Sequence, residues 1–135
     1  MKGLIVAVDF DGTCVDHRYP DVGPDAPGAV ATLLELVAPD GSTPPAKVVL
    51  WTMRSGDELA AARKWFADRG IPLFGVNENP EQASWTTSPK AYAQIYIDDA
   101  AFGVPTIQPP GFKRPCVDWG AVAAALLPTP EPASG

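Results

Sequence analysis

At 135 residues the chain is long enough for one domain with its own apolar core and too short for two. Its 46% hydrophobic and 19% charged residues are those of a globular chain, and 16 Pro with 12 Gly fall short of a low-complexity composition. Ten basic residues against sixteen acidic leave a net charge of -6, which rules out a broadly basic nucleic-acid surface as the default reading.

The first apolar run, residues 4–8, is too short for a secretory leader and leads directly into Asp9. No stretch reaches the roughly 20 apolar residues that cross a bilayer, so a soluble, cytoplasmic protein without a membrane partner is expected. Continuous and rich in β-branched residues, that run suits a strand buried on both faces. A polar loop over 10–24 follows, then a helix from about Asp25, with Pro27 in its first turn and Val30, Leu33, Leu34 and Val37 on one face. Pro39 ends it, and residues 40–45 form a loop.

Residues 47–52 predict a second buried strand. Ser55 and Glu58 have the spacing of a capping box, opening a helix that turns Leu59, Ala62, Trp65 and Phe66 inward and stops at Arg69-Gly70. A third strand at 73–76, a polar loop at 77–89, a helical turn at 90–93 and a fourth strand at 95–97 come next. The Pro- and Gly-rich stretch 102–116 has room for one edge strand near Thr106-Ile107, and Asp118 caps a last helix over 119–127. Residues 1–127 thus read as one domain and 128–135 as a disordered tail. Cys14 and Cys116 have neither metal-site nor disulfide spacing and read as small buried thiols. Strands alternating with helices imply an α/β fold: an open, doubly wound parallel sheet, Rossmann-like, in three α/β/α layers.

In such sheets ligands bind beyond the carboxyl ends of the strands. Those ends carry Asp9-Phe10-Asp11-Gly12-Thr13, Thr52-Met53-Arg54 and Asp98-Asp99, with Asn77 after the third strand and Lys90 on the loop to the fourth. Carboxylates gathered at one edge repel each other, and a divalent cation removes that repulsion; hard oxygen ligands select Mg²⁺. Carboxylates, a hydroxyl and an ammonium together suit an anion held through a metal, most simply a phosphate. Asp9 and Asp11, two apart on an extended chain, point the same way, and Gly12 permits a turn whose N–H groups cradle phosphate oxygens. A calcium loop fails on count, because the fifth, sixth and twelfth positions from Asp9 are Thr13, Cys14 and Pro20. A phosphoacceptor receiver module fails on order, because the acid pair Asp98-Asp99 comes after Lys90 and not before it.

With those residues in that order the chain resembles the haloacid dehalogenase superfamily of phosphatases. Asp9-Phe10-Asp11-Gly12-Thr13 looks like its first motif, Thr52 its second, Lys90 its third and Asp98-Asp99 its fourth, over residues 3 to 125. The run 9–20 and Trp51-Thr52-Met53-Arg54 are similar to small, capless bacterial and phage members. The resemblance implies a Mg²⁺-dependent phosphomonoester hydrolase in which Asp9 attacks phosphorus and Asp11 is general acid and base, its carboxyl kept neutral at the outset by nearby negative charge. It further implies Mg²⁺ held by Asp9, the Asp11 carbonyl and Asp98, with Asp99 auxiliary. Thr52 would bind the transferring phosphoryl, and Lys90 would neutralise it and orient Asp9. Backbone N–H groups of Phe10, Asp11 and Met53 complete the cradle.

No cap domain fits between these motifs, so closing the site falls to the substrate or to a second copy of the chain, and the substrate is small or a phosphorylated terminus. Arg54 either grips a second anionic group or is a solvated charge before Ser55. His17, beside Arg18 and Tyr19, either contacts substrate or is a surface histidine; Trp85 and Asn77-Glu78-Asn79 either shape selectivity at the active edge or belong to a solvated loop. A catalytically idle binding or assembly domain and a phosphotransferase are the rival readings.

Overall fold

Four short apolar runs build the sheet: β1 (Ile5–Val8), β2 (Lys47–Leu50), β3 (Gly75–Val76) and β4 (Ile95–Ile97), parallel and in the order β3-β2-β1-β4. The computed structural model describes residues 3–41 and 43–128. Val6, Ala7 and Val8 of β1 and Val48, Val49 and Leu50 of β2 are all buried, as strands covered on both faces require. Side chains alternate along a strand, so Val8, Leu50 and Ile97 share one face while Ala7, Val49 and Tyr96 share the other.

The first face packs against every helix. α1 (Ala29–Val37) contributes Ala29, Leu33 and Leu36; α2 (Gly56–Asp68) contributes Ala62, Trp65 and Phe66; α3 (Trp119–Leu126) contributes Trp119 and Val122, all in one core with Val6, Val8, Val48 and Leu50. The second face carries no helix among the described residues. Loop 77–93, with a single 3₁₀ turn at Gln82–Ser84, covers it instead. The α/β class and parallel Rossmann-like sheet are as expected; the third, helical layer is not, because the β3-to-β4 crossover is too irregular to form one.

Local differences have local causes. α1 starts at Ala29, later than Asp25, because Val15 bridges to Asp25 and Ala26 N donates to Cys14 O (2.8 Å), keeping 25–26 extended. The Asp25 carboxylate instead accepts from Trp65 Nε1 at 2.8 Å and Arg69 Nη2 at 2.9 Å. Ser55 does stand at the N-cap of α2, but its side chain makes no cap hydrogen bond; Gly56 enters with φ 54, off the helical value that a capping box needs. Asp118 caps α3 as expected, accepting from Ala121 N.

The strand at Thr106–Ile107, β5, does not extend the main sheet. It pairs antiparallel with β6 (Cys116–Val117) in a ribbon of its own. Cys14 and Cys116 are buried and free. No helix among the described residues is long and apolar enough to cross a membrane. The tail expected over 128–135 lies, from Thr129 onward, outside the described residues.

No helical turn forms at 90–93. Gln82 explains the alternative: its Nε2 donates to Ser88 O (3.1 Å) and Lys90 O (2.9 Å), and its Oε1 accepts from Tyr92 N (2.7 Å). One buried amide thus holds three backbone groups of the covering loop. Gln82→Leu should cost about 2–4 kcal/mol, since the partners lose their bonds while the loop stays packed. Urea unfolding checks this, and an unchanged midpoint would show that the loop is held by packing alone.

Candidate active site

Asp9 leaves the end of β1 still tied to the sheet, its N–H donating to Ile97 O at 2.9 Å. Phe10 then turns inward, fully buried, with its ring edge-on to Trp65 at 5.7 Å. Its carbonyl collects the N–H groups of Thr13 (3.1 Å), Cys14 (2.8 Å) and Val15 (3.3 Å), winding the next residues into a tight turn. Gly12 sits in that turn with φ 80, and a Cβ there would come within 2.4 Å of Asp99 Oδ2. Only glycine satisfies both the left-handed backbone and that approach. From the other side, Trp119 Nε1 donates to Thr13 O at 2.7 Å.

The turn delivers Asp9 to the end of β4. One carboxylate oxygen from each of Asp9, Asp98 and Asp99 lies within 4.8 Å of the others. Thr13 links two of them, its hydroxyl donating to Asp9 Oδ2 and accepting from Asp99 N, both at 3.1 Å. Asp98 is fixed by Ala100 N on its Oδ1 (2.8 Å). Burial, then the neighbouring charge of Asp98 and the contact with Asp99, push the Asp9 carboxyl from 3.8 up to about 8. Asp99 is also raised, first by burial, with Asp98 adding to it while the hydrogen bond from Asp9 and the charge of His17 oppose. Three crowded carboxyl groups form an all-oxygen donor set of the kind that could hold a hard divalent cation.

Asp11 is not part of that cluster. Arg54 holds both its oxygens, Nε to Oδ2 and Nη2 to Oδ1, each at 2.7 Å. The other guanidinium N–H groups go to Pro20 O (3.2 Å), Glu58 O (3.1 Å) and Asp21 O (2.7 Å), while the rings of Phe10 and Tyr19 lie 5.0 and 5.3 Å away. With five donors used and the side chain buried, Arg54 is neither a grip for substrate nor a solvated charge. It is a buried tie between β2, the loop after β1 and α2. The Asp11 environment expected from the sequence is likewise corrected: a guanidinium, not a carboxylate, faces it.

Thr52 stands one strand over, its N–H bonded to Asn77 Oδ1 (2.8 Å) and its hydroxyl accepting from Arg54 N (3.1 Å), which leaves the O–H free to donate. Met53 is almost wholly exposed at 98%. The Lys90 ammonium lies 5.4 Å from the centre of the Tyr96 ring and is joined to the acidic cluster by no salt bridge among the described residues. His17 is half-buried, with its charge felt at Asp99. Trp85 belongs to the other end of the molecule, in a groove of about 650 Å³ also lined by Ile5, Lys47, Tyr92 and Gln94, so it does not shape the active edge.

Sequence reasoning gave no role to Asp16, named Thr13 only as the last residue of the first motif, and offered Asn77 a part in selectivity where the structure has it holding the Thr52 N–H. Thr13 had a signal in its place four residues after Asp9. Asn77 and Asp16 act through contacts with distant or irregular backbone, for which a sequence has no local mark.

No protein-family model and no curated protein matches the chain. Among solved structures, one described as a conserved protein from Bacteroides thetaiotaomicron is 34% identical, with a TM-score of 0.69 over 90% of this chain and 87% of that one. The chain belongs to that protein's family. The Bacteroides relative shares the fold and brings no activity with it.

Two outcomes follow from the geometry. Arg54→Lys keeps the charge but loses the fork, and should destabilise the protein by about 2–4 kcal/mol in urea unfolding; a change confined to ligand affinity would contradict the buried tie. For Asp9 the sign runs against ionisation. With a folded value of about 8 against 3.8, its favourable contribution is complete at low pH and is lost as pH rises through 8. Asp9→Asn should therefore melt above the parent at pH 8 in a chelator, by on the order of 5 °C, with the gap closing toward pH 4. Melting curves with a pH-independent gap would refute the charge crowding.

Proposed function

We propose that the chain is a Mg²⁺-dependent phosphomonoester hydrolase of the haloacid dehalogenase kind, with Asp9 as nucleophile. The observation that carries this reading is the meeting of Asp9 with Asp98 and Asp99 at the carboxyl edge of a parallel sheet, one strand from the free hydroxyl proton of Thr52. The motif order Asp9-Phe10-Asp11-Gly12-Thr13, Thr52, Lys90, Asp98-Asp99 supports it independently.

In this reading Asp9, Asp98, Asp99 and the Asp11 carbonyl would hold Mg²⁺, which when bound supplies positive charge for the carboxylates and phosphoryl oxygens. An Asp9 oxygen forms a bond to phosphorus as the ester P–O bond breaks, its electron pair staying on the departing alcohol oxygen, which takes up a proton. Water then attacks phosphorus, the P–O bond to Asp9 breaks, and the carboxylate is restored. Thr52 donates to a phosphoryl oxygen throughout. Asp11 gives the alcohol its proton and later takes one from water, which requires its carboxyl to swing out of the Arg54 fork. The same fork favours one rival, an idle metal-binding domain in which Asp11 never leaves Arg54.

Release of inorganic phosphate from p-nitrophenyl phosphate separates the two. Turnover should require Mg²⁺, vanish in Asp9→Asn and fall by about 10²–10⁴ in Asp11→Asn. Mg²⁺ that raises the melting temperature without phosphate release at any pH would establish the idle domain.

A further inference from the structure

Two basic loops meet at one buried carboxylate beside the acidic cluster. Asp16 is fully buried, and it accepts from His17 N at 2.8 Å, Arg18 Nε at 3.0 Å and Lys113 N at 3.0 Å. Arg18 Nη2 closes the junction by donating to Gly111 O at 3.1 Å. The loop after Asp9 and the loop before β6 are thereby joined, and with them Arg18, Lys113, Arg114 and the chain's single histidine. Burial alone would push Asp16 up; the Lys113 N–H, the Arg18 guanidinium and the His17 N–H outweigh it and hold the carboxyl below its ordinary range. The junction is therefore ionised at neutral pH.

Its place is fixed by the motif turn. Gly12 N donates to Val15 O (2.8 Å) and Val117 N to Gly12 O (3.1 Å), so the loop after Asp9 and β6 both bond to the glycine whose missing Cβ leaves room for Asp99. Elsewhere Lys47, Arg54, Lys64 and Arg69 each have a carboxylate partner, while Arg63 and Lys90, far from this junction in sequence, are likewise in no salt bridge among the described residues. Lys113 and Arg114 are exposed and in no salt bridge among the described residues, and the one Asp16 charge at this junction is already used by Arg18. On a chain of net charge -6, two exposed cations without a carboxylate partner, on a loop tied through Asp16 to the loop after Asp9, are a directional feature.

We propose that Arg18, Lys113 and Arg114, with His17, form a second anion subsite that takes a further phosphate group of the substrate, either of a small bisphosphate or of the phosphodiester next to a phosphorylated nucleic-acid terminus. This rests on the phosphomonoesterase reading, with the reacting phosphate at Asp9. Exposed guanidinium and ammonium groups bind such oxygens through charge-assisted hydrogen bonds, while the acidic cluster by itself repels anionic leaving groups.

The test compares a nucleoside 3′,5′-bisphosphate, a 5′-phosphorylated dinucleotide and a nucleoside 5′-monophosphate, in the parent and in the double variant Lys113→Glu with Arg114→Glu. The parent should favour one of the first two at least tenfold in kcat/KM over the monophosphate. The double variant should lose that preference through KM while hydrolysing p-nitrophenyl phosphate as the parent does. Which of the two is favoured identifies the source of the second phosphate. Equal kcat/KM for all three, or a preference that survives charge reversal, overturns the subsite and leaves the phosphatase reading intact. If no ester is hydrolysed the phosphatase reading falls. Calorimetry on Asp9→Asn with Mg²⁺ then decides the subsite: binding of either two-phosphate ligand that charge reversal abolishes supports it, and no binding overturns it.

Discussion

Pairing of Val8 with Ile97 in parallel register makes the residues that follow them neighbours, and those residues are Asp9 and Asp98. Neither strand can slip to relieve the repulsion, because a one-residue shift would turn the buried faces of β1 and β4 over. The backbone fixes the conflict further: Asp9 N is bonded to Ile97 O, and Asp99 N is held through Thr13. The sheet therefore crowds carboxyl groups at its carboxyl edge, and burial first, with the charge of Asp98 and the contact with Asp99 after it, pushes Asp9 up to about 8. Local strain of this kind is retained where the surrounding packing over-determines it, and here that packing is the apolar core beneath Phe10.

Arg54 solves a different problem with the same charge chemistry. The loop after β1 is irregular, and carbonyls such as those of Pro20 and Asp21 have no strand or helix to bond to. A single planar guanidinium serves both, reaches Glu58 O in α2, and is neutralised by Asp11. Burying a charge of this kind is tolerable only when every donor is used, and all are. The two motif aspartates thus have opposite surroundings: Asp9 faces carboxylates and Asp11 faces a cation.

The apolar runs and punctuation of the sequence carried the four strands and the three helices, because buried strands and amphipathic helices leave periodic marks. The acidic cluster was legible too, since strand ends converge in any parallel sheet. Asp118 behaved as its local chemistry suggests. What escaped were elements set by distant partners: Asp25 bonds to Trp65 and Arg69 in place of capping α1, and Gln82 replaces an expected turn at 90–93 with bonds to three loop groups. Arg54 was open to two surface readings because nothing local announces a residue whose five side-chain hydrogen bonds reach four residues in two segments. The second helical layer failed for a related reason, since a polar loop can cover a sheet face when buried side-chain amides take the place of helical hydrogen bonds.

That covering loop also governs Lys90. Gln82 Nε2 pins the Lys90 carbonyl at 2.9 Å, and Ser88 Oγ accepts from Lys90 N at 3.2 Å, so the backbone of Lys90 is held at both its polar groups. Any approach of the ammonium to Asp9 must then come from the side chain alone, by rotation away from the Tyr96 ring. The Tyr96 hydroxyl is itself bonded to Ala91 O, which keeps the ring from following. Lys90 is exposed, so the swing costs little beyond the cation–π contact, which at exposed sites is worth about 0.5–1 kcal/mol.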